Sequence, residues 1–174
     1  MGGGLEPLLA GYRIKILDGN CLRATQHRIK DLRQIQGGAL PGKSLVVLDP
    51  ALMLVTDLFP CEDGHAQERS LVEDVLWTVK KDDLWITDRN LCTRRFAFGV
   101  ARRDAYFLVR HHQQVSFEAL TPLEQVGRTD TGMVYEQEVY ITDEQEQKRL
   151  LRRIKIQLDE PTSDGDEEIF LLTN

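Results

Sequence analysis

Apolar and polar residues alternate from position 12 to 17. Tyr12, Ile14 and Ile16 are separated by Arg13 and Lys15, the pattern of a strand with one dry face. Beyond it the period changes: Leu22, Ile29, Leu32 and Ile35 recur at helical spacing over 21–36, and Gly37-Gly38 supplies a stop. Residues 44–48 are a β-branched run, Asp49-Pro50-Ala51 reads as a turn, and 52–59 returns as a second strand, which predicts a hairpin. The segment 60–64 reads as loop. Leu71, Val72, Val75, Leu76 and Val79 predict a helix over 65–79, closed by the charged run 80–83. A short buried strand over 84–87, a helix over 91–103 and a strand over 105–110 follow.

After residue 112 the texture becomes polar, acidic and β-like. Runs 133–141 and 148–158 can pair across the acidic turn 142–147, although composition alone would also let 143–153 be a helix. An acidic loop over 160–168 leads to a last strand at 169–172. Strands and helices alternating up to 112, then strands alone, predict an α/β mixed sheet with flanking helices followed by an antiparallel β-rich region. The organisation expected is a flexible lead-in over 1–11, an α/β core over 12–112 and a β-rich region over 113–174. A chain of 174 residues is long enough for such a core.

The net charge of −6 argues against a nucleic-acid partner until it is divided along the chain. Residues 11–110 carry 16 basic and 13 acidic side chains, a net of +3, whereas 111–174 carry 6 and 14, a net of −8. Nucleic-acid affinity follows local basic surface, so DNA stays open as a partner. No apolar run approaches a membrane span, and the first residues lack the basic and apolar regions of a secretory signal. The expected compartment is cytoplasmic, with no membrane association.

Cys21, Cys61 and Cys92 form no close pair, which argues against a disulfide framework and a zinc site. His111-His112 closes a strand, where neighbours point to opposite faces. No glycine-rich loop links a strand to a helix: Gly37-Gly38 ends one, and residues 40–44 lack the earlier glycine of a phosphate loop.

The remaining chemistry lies in two aspartates. Asp18, followed by Gly19, closes the first predicted strand, and Asp88 closes the strand 84–87. Strand-borne carboxylates suit a hard divalent cation, because magnesium takes one or two carboxylates and fills its other positions with water and phosphate. Two plainer readings compete: Asp-Gly is a turn signal, and Asp88 can cap the helix after it.

The combination of 16–20, 44–50, 52–59 and 84–96 resembles the bacterial insertion-sequence DDE transposases, in the branch whose RNase H-like core is interrupted by a β-rich insertion. The resemblance covers about 12–174, and its most specific pieces are Asp18-Gly19 and Asp88-Arg89-Asn90. It implies that Asp18 and Asp88 are two catalytic carboxylates holding Mg2+ (or Mn2+) for cutting and joining strands by two-metal phosphoryl transfer. It also implies that Arg89, Arg94 and Arg95 meet DNA phosphates, that double-stranded transposon ends are the partner, and that the protein self-associates in a synaptic complex.

One departure stands out. The family carries its third ligand, a glutamate, in a tyrosine–x2–arginine–x3–glutamate–x6–lysine helix after the insertion. Here Tyr12, Tyr106, Tyr135 and Tyr140 are followed three positions on by Lys15, Val109, Glu138 and Asp143. Glu136, Glu138, Glu167 and Glu168 fall on predicted strands or loops and read as solvated acids. With only about 11 residues ahead of the first strand, the chain reads as a truncated fragment, weak or inactive by itself. The alternative is a non-catalytic remnant that binds DNA or full-length transposase. An unrelated nuclease on the same core would need further carboxylates, and Asp49, Asp57 and Glu68 have no distinctive context.

Overall fold

The computed structural model describes residues 7–21, 43–61 and 68–174. Three strands open the fold: β1 (Arg13–Cys21), β2 (Lys43–Asp49) and β3 (Leu54–Pro60). Helix α1 (Val72–Thr78) follows a 3-10 turn at Glu68–Leu71, and then come β4 (Asp83–Thr87), α2 (Arg94–Ala101) and β5 (Tyr106–Arg110). The remainder is strand: β6 (Glu118–Ala119), β7 (Glu124–Thr129), β8 (Gly132–Thr142), β9 (Lys148–Leu158) and β10 (Glu168–Thr173).

Among the described residues all ten strands join one mixed sheet in the order β3-β2-β1-β4-β5-β10-β9-β8-β6, with β7 also on β8. Only β1–β4 and β4–β5 are parallel. Parallel neighbours need a crossover, and α2 supplies it between β4 and β5. The last strand, β10, turns back to lie between β5 and β9, so residues on either side of 112 share one hydrogen-bonded sheet.

One face of the sheet is dry. Leu17, Val47, Trp85, Phe107, Val109, Leu151 and Leu172 form a buried cluster with Val72, Val75 and Leu76 of α1 and Phe96, Ala97 and Val100 of α2. Alternation along β4 fixes this choice: Asp83, Trp85 and Thr87 are buried while Leu84 and Ile86 are half-buried. The opposite face presents Ile14, Ile16, Leu84, Ile86, Leu108, Ile154 and Leu171, all half-buried. Gly99 lets the helices approach closely, since a β-carbon there would meet Leu76 Cδ1 at 2.4 Å.

Several expectations shift. The first strand does not stop at Asp18 but runs to Cys21, because β2 pairs with it from Ile16↔Leu48 to Cys21↔Lys43. Ladder bonds outweigh the Asp-Gly turn preference. The rest of the helix expected over 21–36 lies outside the described residues. The helix expected over 91–103 starts only at Arg94, where the Thr93 hydroxyl accepts from Phe96 N at 3.1 Å and caps it. The helix expected over 65–79 is α-helical only from Val72. Residues 148–158 are strand, not helix, paired on both sides by β8 and β10. No helix among the described residues is long and apolar enough to cross a membrane.

Candidate functional site

Asp18 sits inside β1 opposite Val46 of β2. On its other side β1 runs parallel to β4, with Arg13↔Asp83 through Leu17↔Thr87 in register. One step further along both chains come Asp18 and Asp88. Asp88 follows the last ladder rung with an extended backbone, φ −77° and ψ −179°, and caps the 3-10 turn after it. Leu17 and Thr87 point into the core, so Asp18 and Asp88 project from the opposite face. Both are exposed.

Each carboxylate has one local backbone partner. Asp18 Oδ1 accepts from Gly19 N at 2.8 Å, and Asp88 Oδ1 accepts from Asn90 N at 3.0 Å. The second contact caps the 3-10 turn Arg89–Leu91, so the capping role open to Asp88 is realised there. The other oxygen of each side chain has no protein partner among the described residues. Two like-charged groups on one face with free oxygens fit a divalent cation that keeps much of its water.

The three arginines differ in circumstance. Arg89 is exposed and makes no side-chain hydrogen bond or ion pair with a described residue. Arg94 donates from Nη2 to Ser116 Oγ at 2.8 Å. Arg95 is ion-paired with Glu73 on α1. Two acids of the β-rich region are also spoken for: Arg152 forks onto Glu136 through two bonds of 2.7 Å, and Lys155 pairs with Glu168 at 2.5 Å. Among the described residues no group of three or more histidine, cysteine or acidic side chains is close enough to hold a metal ion. Cys61 and Cys92 are buried, and desolvation pushes the Cys92 thiol up.

A cavity of about 1030 Å³ opens beside Arg89, between the end of β5 and the start of β10. Arg153 of β9 lies in its wall, its guanidinium 4.0 Å from the ring centroid of Phe170 and 4.7 Å from that of Phe117. Its Nε is buried without a hydrogen-bond partner. Arg110 Nη2 bonds Asp166 Oδ2 at 2.6 Å. His111 Nε2 meets the Val115 carbonyl at 2.8 Å, and its ring packs edge-on to Phe117. Burial holds His111 below the usual imidazole range; nearby Arg153 and His112 act in the same direction, against the Val115 contact. Sequence reading missed this cluster because Phe117, Arg153 and Phe170 come from three separate elements. The one available signal was an arginine at 153 sharing strand parity with the apolar Leu151.

No family model and no curated protein sequence matches this chain.

Proposed function

We propose that this chain is the catalytic region of a DDE-type transposase, with an RNase H-like core, which cuts and joins DNA strands at a divalent-metal site. The observation that carries the reading is the parallel register Leu17↔Thr87, with Asp18 and Asp88 each the next residue along adjacent chains. The half-sheet β3-β2-β1-β4-β5, with an antiparallel hairpin on a parallel trio, supports the same core. Asp18 and Asp88 would hold Mg2+ or Mn2+, which supplies charge neutralisation at the scissile phosphate and an activated hydroxyl. Arg89, next to Asp88 and without a side-chain partner among the described residues, is positioned to meet a phosphate of the bound strand. Arg94 and Arg95 are already engaged and contribute less.

A second reading keeps DNA, or full-length transposase, as the partner but drops the chemistry. The observation favouring it is that no third carboxylate among the described residues joins the pair. Calorimetric titration with Mn2+ alone separates the two readings, alongside metal-dependent nicking of a labelled duplex. The catalytic reading expects Mn2+ binding that Asp18→Asn and Asp88→Asn each abolish, and slow nicking that both variants lose. Metal binding unchanged in both variants would refute it, whereas duplex binding that survives Asp18→Ala without any metal site favours the second.

A further inference from the structure

The cavity beside Arg89 is lined by Arg89, Arg110 and Arg153 and by Asp166, Glu167 and Glu168, with Glu168 already paired to Lys155. Of its three arginines, Arg110 is taken by Asp166, whereas Arg89 and Arg153 make no hydrogen bond or salt bridge with a described residue. Arg153 is the unusual one. Phe117 and Phe170 flank its guanidinium and its Nε is cut off from solvent without a hydrogen-bond partner, so the group is partly desolvated and has no direct ion pair with a described residue; Glu168, which attracts it, is bonded to Lys155 instead. Partial desolvation is offset when an anion completes the guanidinium. Its planar fork matches a phosphate through two parallel N–H bonds, and the aromatic clamp has already removed the rotamer freedom that binding would otherwise cost.

We propose that this cavity binds a phosphodiester group of a DNA strand, with Arg153 as the fixed contact and Arg89 as the exposed one. The proposal rests on the DNA-cutting reading and extends it to a phosphate contact beyond the two carboxylates. The size favours a strand over a lone ion: about 1030 Å³ is at the upper end of ordinary ligand pockets and far exceeds one phosphate.

The test measures the binding of a fluorescent duplex by anisotropy between about 50 and 200 mM salt, for the full chain, Arg153→Met and Arg89→Gln. Losing one phosphate contact lowers the slope of log affinity against log salt by about 0.9, so the affinity lost across this fourfold range becomes about 3.5-fold smaller. Both variants are expected to behave so, and Arg153→Lys, which keeps the charge, should retain the slope. Near-UV circular dichroism checks packing, and if Arg153→Met does not fold, Arg89→Gln and Arg153→Lys carry the test. Normal duplex binding by the full chain with an unchanged slope in the folded variants would overturn the proposal and leave the DNA reading standing. A full chain that binds no duplex at about 50 mM salt removes both. A third arm uses inorganic phosphate. If it raises the melting temperature of the full chain but not of Arg153→Met, while duplex binding is equal in the two, the cavity belongs to a free anion and the strand assignment is wrong.

Discussion

Gly99→Ala probes how tightly α1 and α2 are locked. A β-carbon at Gly99 would stand 2.4 Å from Leu76 Cδ1 and 2.7 Å from Cδ2. Carbon atoms settle at about 3.5–4.0 Å, so the leucine must retreat by about 1 Å or more. It has little room to do so, being 3% exposed and enclosed by the core. Overpacking of this kind costs about 1–3 kcal/mol, while alanine over glycine in a helix interior returns about 1 kcal/mol. The expected net loss is about 1 kcal/mol, or roughly 2–4 °C in Tm for a chain of this size. Leu76→Ala should cost about 2–5 kcal/mol by opening a cavity. In that background Gly99→Ala should change sign and gain about 1 kcal/mol, because the methyl enters vacated space and the helix preference remains. The coupling is then about 2 kcal/mol, well above the roughly 0.3–0.5 kcal/mol within which independent sites add. Urea titration followed by tryptophan fluorescence can measure it, since Trp85 is 1% exposed and reports unfolding while Trp77, at 82%, changes little. A Gly99→Ala protein more stable than the parent, with coupling under about 0.5 kcal/mol, would refute the locked-helix argument.

Two further outcomes can be checked. For Asp49, burial raises the carboxyl pKa, but Lys15 Nζ at 3.0 Å and the Leu52 and Ala51 amides outweigh it, so the net value lies below the usual one. A depressed folded value stabilises the protein above the unfolded carboxylate pKa, and this is lost as pH falls through the folded one. Asp49→Asn should therefore be about 1–2 kcal/mol less stable at pH 7, and the deficit should shrink as the pH is lowered through the acid range; a deficit that does not change with pH would contradict the assignment. For Asp88, alanine should lose the cap on the 3-10 turn and about 1 kcal/mol, whereas asparagine keeps the cap and loses only metal affinity. Thermal melts of the two variants without metal would distinguish these roles, and equal melts would show the cap to be immaterial.

What was legible in the sequence follows from how local each signal is. The strands at 44–48, 84–87 and 105–110 announced themselves, because β-branched residues on a buried face depend only on their own alternation. The reach of β1 past Asp18 did not, since it is set by the partner β2 from the far side of a long connection. The start of α2 lay with one hydroxyl, Thr93, while the apolar periodicity began earlier at Leu91. Strand β7 escaped notice because all its residues are exposed, which leaves no hydrophobic period to read. The candidate carboxylates were legible as residue types at strand ends. Their position on adjacent chains needed the parallel register of β1 and β4, and the Arg153 clamp needed β9, β10 and the loop before β6 to come together.

The position of β10 bears on how the protein is made. Residues 168–173 emerge from the ribosome after every other described strand, yet they belong in the middle of the sheet, between β5 and β9. Until they arrive, the nascent chain presents two half-sheets whose facing edges have unsatisfied backbone groups and flanking apolar side chains. Closing the gap pairs Leu172 with Val109, 63 positions away, after every other described strand has been made. Such late, long-range pairing is slow and leaves open edges prone to association. Yield in cells should therefore depend on chaperone capacity during translation more than on the stability of the finished fold.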